Sequence, residues 1–521
     1  MSLIFTSIIY FLVFILISAK ELITNKYDHD IDQFMYFGSR LLNGELIWTK
    51  EFDDKSPVLQ YIFSLAAAFK NTNIFVLLTL IISVIAAYLG FRMLRDILRN
   101  SSLEINQRSE NKILYFGTIL YLTLLACIYG SLHHINAISS SLCLIAICIS
   151  YFNWEKDRQI KTNLAAICSA ISISIRPYYI LNIITIPLWL YLRQKKDINN
   201  DINPKGKSIN YSFIGKQAKW IILIIGYILV LNLTPYLISG NLTDFYAGIK
   251  LNSIDYINHN ILTRQFINIG RNPILYPIIL GLTILPLIRI IFNKAIYKYH
   301  LDQKKGLINL YKLDIDILFF GIVNPILLQY MFYRKHFFGH YFTLFTPYIF
   351  ISIVLLISIL TRLDKIIYNY RFLKTNIRIL FTLVMLICLV TNQSIPRTIK
   401  EITNKNITEK EYKVELIKEF IKKETNSTQS FKFFAPEDNY LHWRLHQPRH
   451  GFPQTAVFRN IAKGKMDNVI DKNNDLNYNF ILPKKKDLCK TVIQKSPEYI
   501  ITENNDYTFI CLSEHSSKYK L

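Results

Sequence analysis

Between Tyr27 and Pro57 the chain reads YDHDIDQFMYFGSRLLNGELIWTKEFDDKSP, and seven carboxylates fall in it: Asp28, Asp30, Asp32, Glu45, Glu51, Asp53 and Asp54. A carboxylate within hydrogen-bond reach of a hydroxyl can take its proton as the oxygen attacks. Asp28, Asp30, Asp53 and Asp54 could also gather a divalent cation, although no spacing here singles out a metal site. A second chemical signal is Arg176, which interrupts a long apolar stretch at Arg176-Pro177. An ionisable residue at membrane depth defaults to a functional or pairing role. Arg176 instead marks the outer end of a short hairpin if the stretch folds back there.

The elements that must position these groups are apolar blocks. The 521 residues are 51% hydrophobic, with a mean hydropathy of +0.23, too apolar for a soluble protein of ordinary composition. Blocks of span length occur at 3–19, 74–91, 113–129, 137–153, 220–239, 273–292, 314–333, 342–361 and 376–391. The stretch 163–192 exceeds one span and reads as two short spans or a re-entrant pair. The chain is therefore expected to cross a bilayer about eleven times as helices. No basic segment precedes the first block and Ala19-Lys20-Glu21 is a poor cleavage site, so a cleaved signal peptide is not expected.

The net charge of +23 then reads as topology. Basic residues gather between alternate spans, for example Arg92, Arg95, Arg99, Arg108 and Lys112, then Arg193 to Lys219, then Arg362 to Arg378. The positive-inside rule makes that side cytoplasmic. No single face collects the charge, which argues against nucleic acid as a partner. The loops 20–73, 130–136, 240–272 and 334–341, and everything after about 392, are then expected outside. The high Ile, Asn and Lys content points to an AT-rich genome, and the expected location is a bacterial inner membrane. Sequons at Asn241, Asn392, Asn406 and Asn426 have no evident use there.

Two parts are expected: a membrane domain over 1–391 and a polar outer tail over 392–521, long enough for a small α/β domain. In the tail, Thr408–Lys423 has helical spacing, and SFKFFA, YNFILP, EYIITE and YTFICL read as strands. Cys127, Cys143, Cys148, Cys168 and Cys388 lie in apolar spans as small core residues, whereas Cys489 and Cys511 share the outer tail, where a disulfide can form. In the first outer loop, Ile31, Phe34, Met35, Leu41 and Leu42 follow the spacing of one helix face, and Gly44 supplies a stop. Asp30 with Gln33 resembles a capping box. This helix, and a second over Pro57–Phe69, are too short to cross and are expected to lie in the interface. Asp30 is thus either a cap alone or a carboxylate held at the membrane surface, and the two are compatible.

Asp-x5-Tyr-x-Gly-x2-Leu-Leu-x-Gly, followed by an acidic pair and Lys-x-Pro, resembles the first outer loop of the GT-C membrane glycosyltransferases, in the branch of protein O-mannosyltransferases and aminoarabinose transferases. The matching residues are Asp30, Tyr36, Gly38, Leu41, Leu42, Gly44, Asp53, Asp54, Lys55 and Pro57. RKHFFGHYFTLFTPY, Arg334 to Tyr348, resembles the His-Tyr-x5-Pro stretch of bacterial members. The likeness covers the chain in layout but few residues in motif. Many relatives carry Asp-Glu where this chain has Asp30-Ile31, so the acidic partner is Asp28 or Asp32, or is missing.

The resemblance implies a polyprenyl-phosphate sugar donor, a cell-envelope acceptor, inversion at the anomeric carbon, and catalysis on the outer face. Asp30 is the expected base, with Asp28, Asp32, Asp53 and Asp54 as candidates on the acceptor or metal side. Candidates for the leaving phosphate are Lys55, Arg264, Arg334, Lys335, His340, Arg176, His133 and His134, since cations there stabilise charge developing on the leaving group. Arg334-Lys335 can equally be a snorkelling pair, and the histidines can be ordinary interfacial residues. Some relatives need a divalent cation and others do not; none is expected here. The tail segment Tyr440–His450, with Trp443, is either an acceptor-recognition patch or part of a core. The rival from another class, a transporter or flippase for lipid-linked saccharides, favours ionisable groups at mid-membrane and a repeated helical plan. A polymerase or ligase places its long loop late, and a scaffold has no use for the loop aspartates.

Overall fold

The computed structural model describes residues 29–49, 55–100, 107–127, 134–153, 159–198, 211–252, 312–331 and 339–367, and strand segments 433–434, 480–481, 499–504 and 507–512. In chain order the helices are α1 (His29–Leu42), α2 (Pro57–Ala68), α3 (Asn73–Asn100), α4 (Gln107–Cys127), α5 (Ile135–Asn153), α6 (Gln159–Ile175), α7 (Asn182–Ile198), α8 (Tyr211–Ser239), α9 (Leu242–Asn252), α10 (Lys312–Met331) and α11 (Thr346–Ile367). Tight 3-10 turns occupy Pro177–Leu181 and Gly339–Phe345. Among the described residues, five stretches are long and apolar enough to cross a membrane: Asn73–Asn100, Ile135–Asn153, Gly215–Ser239, Lys312–Met331 and Tyr341–Ser358. They coincide with five of the blocks read from the sequence and are compatible with a multi-pass membrane protein. The blocks 3–19, 273–292 and 376–391 lie outside the described residues.

The chain divides into two compact units. One comprises 1–23, 76–230 and 257–400; the other comprises 24–75, 231–256 and 401–521.

The first unit is organised around α5, whose small polar residues let neighbouring backbones come close. Ser139 and Ser172 bond reciprocally across α5 and α6, each hydroxyl donating to the other's carbonyl at 2.9 and 2.8 Å. Ser141 Oγ meets Tyr121 Oη of α4 at 3.1 Å and Ser83 Oγ of α3 at 3.0 Å. Cys143, Cys148 and Cys168 are buried thiols in this packing. By contrast α8 presents Ile222, Ile225, Leu229 and Val230 outward.

The second unit contains a helical hairpin, α1 against α2. Helix α1 stops where the sequence places a stop: Gly44 adopts φ +80°, with Gly44 N–H on the Leu41 carbonyl at 2.8 Å and Glu45 N–H on the Arg40 carbonyl at 3.0 Å. These are the two bonds of a Schellman ending. Its start differs from the sequence reading. The helix already includes His29, so Asp30 lies inside the helix and is not its N-cap. An acidic residue in a first turn is favoured by the helix dipole without a cap bond. Pro57 opens α2 at its first position, where a missing N–H costs nothing.

Gln60, 1% exposed, ties the hairpin together. Its Oε1 accepts from Ile47 N–H at 2.9 Å, while its Nε2 donates to the carbonyls of Phe37 at 3.1 Å and Glu45 at 2.8 Å. Gln60→Leu, similar in volume, leaves a buried N–H and two carbonyls unmet. It is expected to cost about 2–4 kcal/mol, read as faster amide exchange at Ile47 and earlier proteolysis of the loop. The loop closes on Trp48, whose φ of 73° is unusual for so large a side chain. Its ring stacks on Tyr236 at 6.0 Å and packs against Phe245 at 5.8 Å, while Tyr236 Oη donates to the Ile47 carbonyl.

In the same unit a sheet forms from β1 (Phe433–Phe434), β2 (Phe480–Ile481), β3 (Tyr499–Asn504) and β4 (Tyr507–Leu512), in that order, with the first three parallel and β4 antiparallel to β3. β1, β2 and β4 fall inside three of the four tail segments read as strands, and β3 overlaps the fourth, EYIITE, running one residue beyond it. The helix expected over Thr408–Lys423, the Tyr440–His450 patch with Trp443, and Cys489 lie outside the described residues.

Candidate functional site

Pro177 sets the local geometry in the first unit. Proline cannot continue a helix and pushes its predecessor into extended backbone. Helix α6 accordingly ends at Ile175, and Arg176 sits at φ −136° and ψ 97°. The break is anchored at both ends: Arg176 N–H reaches the Ser172 carbonyl at 2.9 Å, and the Arg176 carbonyl accepts from Tyr179 N–H at 3.1 Å. Hydroxyls then fasten this turn and the start of α5 to the 339–345 turn. Ser140 Oγ donates to the Thr343 carbonyl at 2.6 Å, and Tyr179 Oη donates to the Leu344 carbonyl at 2.7 Å. Tyr348 Oη donates to Asn182 Oδ1 at 2.6 Å just beyond.

Arg176 is 8% exposed. Its Nε donates to Oδ1 of the fully buried Asn136, and its guanidinium carbon lies 5.5 Å from the centre of the Tyr341 ring. Tyr178 meets the same ring edge-on at 5.9 Å. His134 is buried beside them, its Nδ1 accepting from Asn136 N–H at 3.3 Å where α5 begins. None of these neighbours is an anion, and Arg176 pairs with no carboxylate among the described residues. Burying a guanidinium without a counter-charge costs several kcal/mol. An anion at this position would offset that cost, because a guanidinium pairs with carboxylate or phosphate oxygens through its planar fork.

The contrast with Arg193 in the same unit is instructive. Its Nε lies 3.4 Å from Oδ1 of Asp316, which is wholly buried and also accepts from Trp189 Nε1 at 2.7 Å. The guanidinium stacks over Tyr151 at 4.9 Å, and Tyr151 Oη donates to Asp96 at 2.6 Å. That arginine is neutralised within the fold.

The structure thus brings together two of the residues picked from the sequence, Arg176 and His134, with the turn that contains His340. Only the backbone of His340 is among the described features, next to Tyr341. Asn136, Tyr178 and Tyr341 were not singled out by the sequence, although Tyr341 is the Tyr of the His-Tyr pair and Asn136 closes the short loop after His133 and His134. In the second unit Asp30 lies on α1, and Asp32 beside it is buried at 4%. Lys55 is half-buried just ahead of α2. Asp28, Asp53, Asp54, His133, Arg264, Arg334 and Lys335 lie outside the described residues, as does the side chain of Asp30. Among the described residues no three His, Cys, Asp or Glu side chains gather as metal ligands. Two further groups of the second unit carry shifted acidity. Burial pushes the Tyr61 phenol up to about 12, keeping it neutral, and raises the Asp244 carboxyl above its ordinary value. The sequence matches no protein-family model and no curated protein.

Proposed function

We propose that the chain is a membrane glycosyltransferase that moves a sugar from a polyprenyl-phosphate donor to a cell-envelope acceptor, with inversion, on the extracytoplasmic face. The observation that carries this reading is Arg176: a buried guanidinium at a helix break, oriented by Asn136 and Tyr341 and lacking a carboxylate partner among the described residues. That is what a lipid-linked phosphate would need. The motif likeness around Asp30 supplies the rest. In this reading about eleven helices cross the inner membrane, and residues 392–521 form a small α/β domain outside. Asp30 takes the proton of the acceptor hydroxyl as its oxygen bonds to the anomeric carbon. The bond from that carbon to the phosphate oxygen breaks, and polyprenyl phosphate leaves with an added negative charge, which a nearby cation stabilises.

A second reading, a transporter or flippase for lipid-linked saccharides, draws on the buried Arg193–Asp316 pair, since charge inside spans commonly marks an ion path. Its components are matched to each other, which favours a structural pair.

The test follows free polyprenyl phosphate released by the purified protein from a panel of polyprenyl-phosphate sugars with envelope extracts as acceptors. Wild type is expected to release it. Asp30→Asn, shown to be folded by an unchanged melting temperature, is expected to lose at least about 100-fold in rate, the scale of one general base. Equal release from both would remove Asp30 from the chemistry. No release with any donor, together with movement of labelled lipid across vesicles, would favour the flippase.

A further inference from the structure

In the first unit, a cavity of about 60 Å³ lies between the end of α5, the start of α6, α7 and the start of α8, lined in part by Ser150, Asn153, Thr162, Lys216, Lys219 and Trp220. It sits at the end of α5 remote from Asn136. Two lining residues, Ser150 and Trp220, are at least nine-tenths buried, and their Oγ and Nε1 meet no partner among the described residues. Most buried donors are satisfied in folded proteins, so such orphans call for an explanation. Lys219 Nζ reaches only the neutral Gln159 Oε1 among the described residues, so its charge is unmatched.

What lies beyond the lysines selects the ligand. On the face of α8 that begins at Lys219 come Ile222, 67% exposed, Ile225, 47%, and Leu229, 51%. Residues at that spacing share one face of a helix. A basic, donor-bearing cavity thus opens at the foot of an outward apolar stripe, with a tryptophan at the junction, where tryptophans favour the membrane interface. A free anion has no use for the stripe, and a neutral lipid has no use for the lysines.

We propose that this crevice is a binding site for an anionic membrane lipid, its headgroup phosphate between Lys216, Lys219 and Trp220 and its acyl chains along Ile222, Ile225 and Leu229. Basic pockets between membrane helices recognise anionic headgroups in this manner. The site is separate from the Arg176 cluster and does not depend on the transferase reading.

The test uses the full chain in detergent micelles, titrated with short-chain phosphatidylglycerol, short-chain phosphatidylcholine or inorganic phosphate, and read by melting temperature and by lipid retained in native mass spectrometry. Phosphatidylglycerol alone is expected to raise the melting temperature and to remain bound. Lys216→Gln/Lys219→Gln is expected to abolish both effects while melting as wild type does without lipid. Trp220→Phe keeps the ring and removes one N–H donor; it serves if the double variant does not fold. It is expected to weaken phosphatidylglycerol about five- to tenfold. Equal stabilisation by phosphatidylcholine, the same effect from inorganic phosphate, or unchanged binding in the folded variants would each overturn the proposal.

Discussion

Arg176→Gln is expected to reduce release of polyprenyl phosphate by about 10²- to 10³-fold, the loss typical when one preorganised group facing transition-state charge is removed. Glutamine keeps a polar head that can reach Asn136 but removes the positive charge. Because Arg176 is buried with no matching carboxylate among the described residues, deleting that charge relieves a desolvation cost, so the melting temperature without donor should hold or rise. A purely structural arginine would give the opposite pattern, with stability falling and turnover falling only in proportion to the unfolded fraction. Arg176→Lys separates charge from geometry. Lysine retains the cation but cannot bond Asn136 and the phosphate together as a planar fork can. It should recover part of the rate and none of the orientation, seen as a partly restored kcat with a raised KM. Loss of stability in Arg176→Gln with unchanged turnover per folded molecule would end the assignment.

A second large expected effect, on stability, is at Gly38. A Cβ there would overlap the Phe63 carbonyl carbon and lie 2.7 Å from the Ser64 nitrogen, both backbone atoms of α2. Backbone cannot rotate aside as a side chain can, so α1 and α2 must separate. Gly38→Ala is expected to cost about 3 kcal/mol, the upper end of overpacking effects. Exchange protection should fall across Ile31–Phe37 and Val58–Phe63 alike. Gly44→Ala is the control. Nothing lies within 4 Å of its added Cβ, and only the backbone angle of +80° is disfavoured. Its cost should be about 1–2 kcal/mol, confined to the end of α1. Two glycines of one motif thus serve different physical needs, space at Gly38 and a left-handed turn at Gly44. Equal effects from the two substitutions would contradict that division.

The candidate site was legible in unequal measure. Arg176 was visible because an arginine-proline pair inside an apolar run breaks two rules at once. His134 was visible as one of two histidines in a very short loop. Asn136, Tyr178 and Tyr341 were not, since a single asparagine or tyrosine near a membrane boundary has no distinctive spacing. Gln60 and Asp316 were equally silent. Gln60 is one polar residue in a short apolar helix, and Asp316 is an acidic residue near the start of a span, where charge is common. Their partners lie far off along the chain: Phe37 and Ile47 for the one, Trp189 and Arg193 for the other.

The sequence by itself determined the helical class, five of the apolar stretches that can cross a membrane, the short hairpin helices, the stop at Gly44 and the break at Pro177. These follow from local physics: hydropathy summed over a window, the period of apolar residues, and the restricted backbone of glycine and proline. Tertiary structure alone decided that Gly38 is a point of closest approach, and that Arg193 is neutralised by Asp316 while no described carboxylate answers Arg176. Each of these depends on which residue, distant in sequence, arrives beside another, and a burial cost or an ion pair exists only once both are fixed in space.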